Sequence, residues 1–399
     1  MRPEILAPVG NHKMLTAAVE SGANAVYFGL GKLNMRAKAN NFKLDELNEI
    51  VDYCHQNKVD AHLTLNSIIY EDEIKELDKY MQKAKDASID MIICWDASVI
   101  AKCREYELPF CISTQASISN SASAKFYKDM GAKRIVLARE CTLENIIDIK
   151  RKVDIGVETF IHGAMCLAVS GRCLLSHYAF GKSANRGECI QPCRREFEIV
   201  DKSDDYSLII GEDYVLSPND LCSISFIDKL IDAGIDSFKI EGRKRSPEYV
   251  YKVVSVYKKA IDFHFQGKLS DEIKTGMEEE LRRVYNRGFS DGFYFGTPAS
   301  DKYATKYGSE ATTKKEYVGK VINYFKKSKI VHIKVESSAI NVGEEIYLIG
   351  KTTGVSEMKI PEMLKDEISV DIASKGDEVT FYSEFVSKPG DEIYKIIAL

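Results

Sequence analysis

Short apolar segments alternate with amphipathic helical patterns over the first 242 residues, and this alternation constrains the fold more than any other feature of the chain. Over 72–88, for example, apolar residues recur at the spacing of a helix with one buried face. Such alternation indicates strands joined by helical crossovers, and therefore a parallel sheet. The eight predicted strands lie at 4–10, 25–29, 60–66, 91–96, 110–115, 134–140, 154–163 and 237–242.

Eight strands with intervening helices are the number that builds a (β/α)8 barrel, so we predict an α/β fold of the TIM-barrel type. A doubly wound open sheet is the alternative, and it would normally place a glycine-rich phosphate-binding turn after the first strand. The segment at that point, 8–13, has the sequence PVGNHK with one glycine. The barrel is therefore the favoured architecture.

The chain is also predicted to contain a large insertion and a second domain. The stretch from about 164 to 236 is too long for an ordinary crossover, so we interpret it as a functional insertion at the catalytic end of the barrel. From 315 onward, short alternating runs separated by turn residues predict a small all-β barrel. We therefore divide the chain into a barrel domain at 1–300, a linker at 301–314 and a C-terminal β-barrel domain at 315–399.

Charge and hydropathy limit the partners of this chain. Its net charge is −5, whereas a domain that binds nucleic acid broadly is usually basic. An RNA contact would therefore use a local patch such as 193–196, 242–246 or 326–329, although a solvated charged surface is the commoner explanation of each. Apolar runs such as 91–95 are far shorter than the roughly 20 residues that cross a bilayer, and the N-terminus lacks a signal-peptide pattern. We expect a cytoplasmic protein without membrane contact.

Four of the ten cysteines crowd into 166–193. Cys166, Cys173, Cys189 and Cys193 are separated by six, fifteen and three residues, in a segment rich in Gly, Ser, Arg and Pro that does not resemble a core. Thiolates bind soft metals, and four of them complete either an iron–sulfur cluster or a zinc site. Structural zinc usually has two close cysteine pairs. Here only the second pair is close, so an iron–sulfur cluster is favoured over zinc.

Polar residues at strand ends are the candidates for substrate chemistry, because the active site of a TIM barrel lies there. Glu158 stands in an otherwise apolar strand, and a buried acid needs a role or a partner; a salt bridge to Arg139 or Lys239 is the structural alternative. His162 is a candidate ligand or acid–base group, or else a histidine satisfied near the core, and Arg36 is either an anion ligand or a solvated loop residue. The catalytic candidates are Glu158, His162 and Glu241, and the substrate-binding candidates are Arg36, Asn66, Gln115, Arg139 and Arg243.

Hydrolytic motifs are absent from the sequence. There is no HExxH helix of a zinc protease, no GxSxG nucleophile elbow and no P-loop. His162 and Cys166 suggest a Cys–His protease, but a nucleophilic thiol stands beside a base and a third, orienting group. Four clustered thiols are more typical of metal ligands.

The segment 158–176, ETFIHGAMCLAVSGRCLLS, resembles the signature of the U32 peptidase family. The specified positions of that signature are filled by Glu158, Phe160, Gly163, Ala164, Met165, Cys166, Gly171, Cys173, Leu175 and Ser176. The segments EILAPVG, NRGECIQPCR, LSPNDLC, KIEGRKRSPEYV and NRGFSDG are similar to the family as well. The resemblance therefore covers nearly the whole chain.

The resemblance implies two kinds of activity. The family is named for members described as collagen-degrading, while other members are tRNA- or rRNA-modifying hydroxylation proteins with a [4Fe–4S] cluster on a Cys-x6-Cys-x15-Cys-x3–4-Cys pattern. That pattern implies Cys166, Cys173, Cys189 and Cys193 as ligands here, with Cys222 as an alternative ligand. Length and the C-terminal module look most like the branch that hydroxylates the wobble uridine of tRNA, with prephenate as co-substrate.

Three functions therefore compete. The first is tRNA uridine 5-hydroxylation, in which Glu158 and His162 shape the reaction pocket while Arg36, Arg139 or Arg243 holds a carboxylate or phosphate. The second is a peptidase, and the third is a non-catalytic iron–sulfur scaffold or electron-transfer partner. The resemblance implies tRNA as a partner, and assembly with itself or with another U32 protein is a further expectation.

Overall fold

The computed structural model describes residues 2–202, 208–211 and 214–399. The strands up to residue 290 are β1 (Glu4–Pro8), β2 (Ala25–Phe28), β3 (Asp60–Thr64), β4 (Met91–Cys94), β5 (Phe110–Ile112), β6 (Arg134–Val136), β7 (Gly156–Gly163), β8 (Ile199–Asp201), β9 (Leu208–Gly211), β10 (Asp220–Cys222), β11 (Ser237–Ile240) and β12 (Phe289–Ser290). The helices are α1 (His12–Glu20), α2 (Leu47–Gln56), α3 (Ile74–Asp86), α4 (Ala97–Glu105), α5 (Ser121–Asp129), α6 (Leu143–Lys152), α7 (Leu175–Phe180), α8 (Ile227–Asp232), α9 (Pro247–Phe265) and α10 (Asp271–Arg282).

The first seven strands and β11 form a closed parallel barrel. Strands β1 to β7 pair in order, and β11 pairs in parallel with both β7 and β1. The eight predicted strands and the TIM-type fold are therefore confirmed, and closure excludes the open-sheet alternative. All residues of β2 and β11 are buried, as expected when helices cover the outside of a barrel and side chains fill its centre. In the part of the chain that the structure describes, no helix combines the length and the apolar composition needed to span a membrane.

The chain leaves the barrel between β7 and β11. This segment contains α7, the antiparallel pair β8–β9, and β10, which runs antiparallel to the end of β7. Leu221 pairs there with Gly163, and Cys222 with His162. The pairing fastens the insertion over the carboxyl-terminal end of the barrel. Residues 203–207 and 212–213 of the predicted insertion lie outside the described part of the chain.

The C-terminal part is all β, as predicted. Its strands are β13 (Thr313–Phe325), β14 (Ile330–Val335), β15 (Ile340–Asn341), β16 (Glu345–Gly350), β17 (Gly354–Lys359), β18 (Met363–Lys365), β19 (Ile368–Val370), β20 (Ile372–Ala373), β21 (Glu378–Tyr382) and β22 (Glu392–Ala398). Eight of them form one antiparallel sheet in the order β17-β16-β22-β13-β14-β21-β18-β19, around a core that includes Val318, Ile333 and Ile346. The described pairings do not include one between the end strands β17 and β19.

Polar contacts join the β unit and the predicted linker to the rest of the molecule. Lys13 in α1 lies 2.6 Å from Glu392, and Lys252 in α9 lies 2.7 Å from Glu357. Within 301–314, the Ala304 amide donates to the carbonyl of Ser217 in the insertion at 2.8 Å. This segment is therefore fastened to the insertion along part of its length.

Candidate active site

A cavity of about 170 Å³ opens at the carboxyl-terminal end of the barrel, next to the insertion. Barrel strands supply part of its wall, for example Tyr27 in β2 and Lys239 in β11, and the insertion supplies the rest. In TIM barrels this end carries the active site, because the loops that follow the strands converge there.

Most of the residues predicted from the sequence meet in this cavity. The polar residues among them are Arg36, Asn66, Gln115, Arg139, Glu241 and Arg243, and the cysteines are Cys166, Cys189 and Cys193. The predicted residues that do not line it are Glu158, His162, Cys173 and Cys222. All five predicted substrate-binding residues therefore share one space with three of the four predicted metal ligands.

Positive charge is in excess around the cavity. The basic side chains that line it are Arg36, Arg139, Arg194, Lys239, Arg243 and Lys244, and the carboxylate is Glu241. Lys239 is neutralised by Glu158, whose carboxylate lies 2.6 Å from its Nζ. The remaining excess favours an anionic ligand, because arginine and lysine bind carboxylates and phosphates through charge-assisted hydrogen bonds.

Glu241 follows β11, and its side chain is 15% exposed. Burial alone would raise the pKa of Glu241, but Arg36, Arg139 and Arg243 outweigh that effect and hold the pKa below its ordinary value. The carboxylate is therefore ionised at neutral pH. Its distance to the Arg36 Nη2 is 3.4 Å, longer than the roughly 2.7–2.9 Å of a tight charge-assisted hydrogen bond. A ligand carboxylate can therefore compete with Glu241 for Arg36.

Arg243 is held firmly at the cavity wall and is 3% exposed. Its Nη1 donates to Asn34 Oδ1 at 3.1 Å and to Thr64 Oγ1 at 3.2 Å, and its Nη2 donates to Asn41 Oδ1. Burial lowers its pKa to about 10, so the group is still a cation at neutral pH. A side chain at Gly29 would collide with the guanidinium, which explains why the chain after β2 has no Cβ at that point.

Asn66 and Gln115 organise the wall through their amide groups. The Asn66 Oδ1 accepts from the Met35 amide at 3.1 Å, and the Gln115 Nε2 donates to the Asn66 carbonyl at 3.0 Å. The Ser113 hydroxyl donates to Gln115 Oε1. Gly171 of the insertion has a φ of +77°, and a Cβ there would lie 2.8 Å from the Gln115 Cγ. The insertion therefore rests directly on this wall.

Arg139 connects the cavity to the start of the insertion. Its guanidinium carbon lies 3.9 Å from the centre of the Phe160 ring, and its Nη1 donates to the Ala164 carbonyl at 2.9 Å. Burial lowers the pKa of Arg139, and Glu241 partly offsets the effect. The side chain therefore faces the cavity while it supports the chain just before Cys166.

The four predicted ligands lie close together on the insertion. Cys166 follows β7, Cys173 precedes α7, and Cys193 stands in a short 3-10 turn. Burial raises the pKa of the Cys193 thiol, Arg194 lowers it, and the neighbouring Cys166, Cys189 and Cys173 raise it further. Mutual repulsion of clustered thiolates is what a bound metal relieves, so this donor set fits a metal centre.

Arg194 holds two of the cysteine segments together. It is 9% exposed, its Nη1 donates to the Pro218 carbonyl at 2.6 Å, and its Nη2 donates to the Met165 carbonyl. Met165 precedes Cys166, and Arg194 itself follows Cys193. One buried side chain therefore fixes the relative position of the first and last predicted ligands.

The described sulfurs are spaced more widely than the ligands of a single tetrahedral metal ion. A tetrahedral zinc site with Zn–S bonds of about 2.3 Å brings its sulfurs to roughly 3.8 Å from one another. Among the described residues, the group of three possible ligands with donor atoms within 4.8 Å of one another is Glu4, Asp60 and His62, and it contains no cysteine. Glu4 there is already paired with Arg134 at 2.6 Å.

Glu158 is a buried carboxylate with a structural role. The prediction that it shapes the reaction pocket is wrong, because its side chain does not line the cavity. The side chain is fully buried, with Lys239 Nζ at 2.6 Å and Arg134 Nη1 at 3.3 Å. It lies near the start of β7, below the cavity layer formed by Phe160. The structural alternative is correct for Lys239, whereas the second partner is Arg134 instead of Arg139.

His162 also lies outside the cavity, so its predicted role in the reaction pocket is corrected as well. The register between β7 and β11 shifts after Phe160, so that Ile240 pairs with His162. Such an irregularity breaks the alternation of a strand and turns the next side chain to a new direction. The ring of His162 packs between Tyr249, Tyr257 and Phe289 at 5.5–5.9 Å. Burial lowers its pKa to about 3, so it is a neutral core histidine.

Cys222, the alternative ligand, is buried in β10 away from the other thiols. Its sulfur lies 3.8 Å from the Tyr257 hydroxyl, and it does not line the cavity. Burial raises its pKa to about 12. This environment is that of a protonated core thiol, which favours the compact set of four cysteines.

Sequence reasoning missed several cavity residues. Tyr27 lies inside a strand and carried no signal beyond its polarity, and Lys239 was considered only as a partner of Glu158. Arg194 and Lys244 stood in the basic patches 193–196 and 242–246. Those two patches are thus partly internal, because they contribute buried arginines to the cavity. The third patch, 326–329, is an exposed turn between β13 and β14.

Comparison with known proteins places the chain in a family. The model of "Peptidase family U32" matches residues 10–304. A collagenase of Porphyromonas gingivalis is 39% identical, with 98% of this chain and 97% of that protein covered. The tRNA hydroxylation protein P1 of Bacillus subtilis is 37% identical over 88% of this chain and 84% of its own, and the tRNA hydroxylation protein P of Escherichia coli is 29% identical over 87% and 86%. The chain therefore belongs to peptidase family U32.

Proposed function

We propose that this chain is a tRNA-modifying enzyme that acts in the 5-hydroxylation of the wobble uridine. In this proposal Cys166, Cys173, Cys189 and Cys193 hold a [4Fe–4S] cluster, and the adjacent cavity binds a small dicarboxylate, with prephenate as the co-substrate. The observation that supports the proposal best is that three of these thiols and four arginines line one cavity at the catalytic end of the barrel.

The arginines suit a ligand with two carboxylates. Arg36 is only loosely engaged by Glu241, whereas Arg139 and Arg243 are oriented by carbonyl, amide and hydroxyl acceptors. Guanidinium groups pair with carboxylates through two parallel hydrogen bonds. Because Arg139 and Arg243 are ordered before the ligand arrives, binding loses little of their conformational freedom.

The residues of the chain have distinct tasks in this proposal. An iron–sulfur cluster supplies one-electron chemistry when it is bound. Arg36 and Arg243 fix the carboxylates of the co-substrate, and Phe160 and Met165 exclude water from the apolar part of the cavity. Glu241, ionised at neutral pH, is the group that can accept a proton from a ligand in the cavity.

Two relatives and the composition of the cavity support this reading over hydrolysis. The Bacillus subtilis and Escherichia coli relatives are named tRNA hydroxylation proteins. No histidine is among the described residues that line the cavity. A serine or cysteine nucleophile there would lack the base that usually activates it.

A peptidase is the second candidate, because the Porphyromonas gingivalis relative is named a collagenase. Cys166 is the exposed thiol of the set and would be the nucleophile in that case. Cleavage by such an enzyme would persist after iron is removed and would be lost on Cys166→Ala. Modification that depends on the cluster would instead be lost when iron is removed.

The proposal is tested with anaerobically purified protein and with tRNA from a host that lacks this gene and has no second copy. We expect about four iron atoms and four sulfides per chain, and loss of hydroxyuridine from the tRNA of the deletion host. Cys173→Ser should remove the cluster and fail to restore hydroxyuridine. Cys222→Ser is the matched control and should retain both properties, because its sulfur contacts Tyr257 instead of the cavity.

The opposite outcomes are equally informative. One zinc per chain after anaerobic purification, or unchanged hydroxyuridine in the deletion host, would contradict the proposal. Peptide cleavage by the iron-free protein would favour the peptidase instead.

A further inference from the structure

Six large apolar side chains are exposed around the predicted metal ligands. We call them the collar, and they are Leu167, Val169, Leu174, Tyr178, Phe180 and Ile190. Tyr178 is the most exposed of them, at 80%. Single exposed apolar residues are ordinary, but a contiguous group indicates a surface that another molecule covers.

The positions of the collar residues tie it to the active site. Leu167, Leu174 and Ile190 directly follow Cys166, Cys173 and Cys189 in the sequence. The α7 helix that carries Tyr178 and Phe180 is linked to the third cysteine segment, since the Ile190 amide donates to the Ser176 hydroxyl at 3.4 Å. The collar therefore lies next to the predicted ligands, of which Cys166 and Cys189 line the cavity.

Cations are interleaved with aromatic rings on this face. The Arg195 guanidinium lies 4.8 Å from the centre of the Phe180 ring, that of Arg172 lies 5.2 Å from Trp95, and that of Arg186 lies 4.6 Å from Tyr70. Tyr70 is itself 53% exposed. Arg172 and Arg195 present positive charge beside flat rings, whereas the charge of Arg186 is paired with Glu73.

The charge of the insertion contrasts with that of the chain. Residues 164–196 contain five lysines and arginines and two glutamates, a balance of +3 with neutral thiols, whereas the whole chain carries −5. Arg194 is buried and Arg186 is paired with Glu73, so the exposed cations are Arg172, Lys182 and Arg195. Cores of protein interfaces are depleted in charged residues apart from arginine. Exposed rings beside an excess of cations match unpaired nucleic acid, in which bases stack on aromatic groups and phosphates meet cations.

We propose that the collar is the docking surface for unpaired bases of an RNA loop, with Tyr178 as a stacking platform and Arg172, Lys182 and Arg195 as phosphate contacts. This inference rests on the proposed function, since it assigns the RNA substrate of the same site to a particular surface. The bases next to the reacting uridine stack on the collar, so that the uridine itself reaches the cavity. Phosphate contacts set affinity, and stacking selects unpaired loops over duplex.

The test is fluorescence anisotropy with a labelled hairpin RNA that has an unpaired, uridine-containing loop, and with a blunt duplex of equal charge. Full-length preparations of equal iron content are compared. We expect Tyr178→Ala to weaken hairpin binding by about 5- to 150-fold, the range for the loss of one base–aromatic stack, and to leave duplex binding unchanged. Tyr178→Phe should bind as wild type does, because the ring is retained. Lys182→Ala should reduce the slope of log Kd against the logarithm of the salt concentration by about 0.7, because one phosphate contact is lost.

Phe126→Ala is the matched control, because Phe126 is an aromatic residue of similar character, 59% exposed on α5 outside the insertion. It should leave hairpin binding unchanged. The proposal is overturned if Tyr178→Ala binds the hairpin as tightly as wild type, or if wild type binds duplex as tightly as hairpin. Absence of hairpin binding by wild type also overturns it and leaves a protein partner as the occupant of the collar.

The two proposals can fail separately. A chain that contains the cluster and restores hydroxyuridine, but whose RNA affinity does not depend on Tyr178, contradicts the docking surface alone. A chain that binds the hairpin through Tyr178, but whose deletion leaves hydroxyuridine unchanged, contradicts the proposed reaction.

Discussion

Replacing Glu158 with glutamine should destabilise the barrel, because a buried cation loses its partner. Glu158 is fully buried, and the Lys239 that pairs with it is 6% exposed. In Glu158→Gln, Arg134 keeps its pair with Glu4 at 2.6 Å, so one uncompensated buried cation remains, on Lys239. Breaking a buried pair by removing one partner costs about 3–5 kcal/mol. At roughly 2 °C per kcal/mol for a large domain, the melting temperature should fall by about 6–10 °C.

Thermal unfolding of four variants tests this reasoning. The double variant Glu158→Gln/Lys239→Met should lose less stability than the sum of the two single variants, because it leaves no unpaired charge. Glu76→Gln removes the partner of Lys32 in an exposed pair with a distance of 3.1 Å, and it should change stability by less than about 1 kcal/mol.

The dependence on pH gives an independent check. Burial acts to raise the pKa of Glu158, but Lys239 and Arg134 together lower it below the ordinary value. A carboxylate with a lowered folded-state pKa stabilises the protein above the unfolded pKa of about 4.3, and this contribution disappears as the pH falls through the folded value. The difference between wild type and Glu158→Gln should therefore shrink below about pH 4. A melting temperature within 2 °C of wild type at pH 7 would refute the argument.

Three further predictions concern stability and the metal site. Burial lowers the pKa of His162 to about 3, below the unfolded value of about 6.5. The buried neutral ring therefore destabilises the folded protein as the pH falls below 6.5. In urea unfolding between pH 7 and pH 5, His162→Gln should lose about 2 kcal/mol less stability than wild type. Arg194→Met removes hydrogen bonds to two carbonyls, and iron should transfer to a chelator about tenfold faster than from wild type, whereas equal rates would contradict its positioning role. Lys252→Met breaks the 2.7 Å contact with Glu357 and should lower the free energy of unfolding by about 1–2 kcal/mol, because Arg283 still compensates the carboxylate; no change would show that the contact does not join the two units.

The barrel could be predicted because each of its strands is marked by a local sequence pattern. Each barrel strand is a short apolar run between polar turns, and each is followed by a helical pattern, so pattern alone places all eight strands. The C-terminal strand Gly354–Lys359 is harder to recognise from sequence, because GVSEMK lacks regular alternation although it pairs with β16 over its full length. The sheet therefore contains strands that only its pairing partners define.

The active site was predictable where residues follow strands and was misjudged where tertiary geometry decides. Asn66 and Arg139 lie just beyond strand ends, and the barrel rule places both at the cavity. His162 faces away because the register shift between β7 and β11 reverses its direction, which no local pattern shows. Arg194 and Arg243 are buried although arginine is usually exposed, so their cavity positions depend on partners distant in the sequence.

Replacing Glu241 tests whether this carboxylate repels a ligand that is bound in the cavity. It is the acidic side chain of a cavity with an excess of cations, and its 3.4 Å contact with Arg36 is loose. Arg36 also donates to the Met35 carbonyl at 3.0 Å, so it stays in place without Glu241. Glu241→Gln removes a like charge from beside a bound dicarboxylate, and charges about 6 Å apart at an effective dielectric near 20 repel by roughly 2–3 kcal/mol. Calorimetry with prephenate should therefore show binding tighter by at least about tenfold, whereas weaker binding would mean that a hydrogen bond from the ligand to Glu241 outweighs the repulsion.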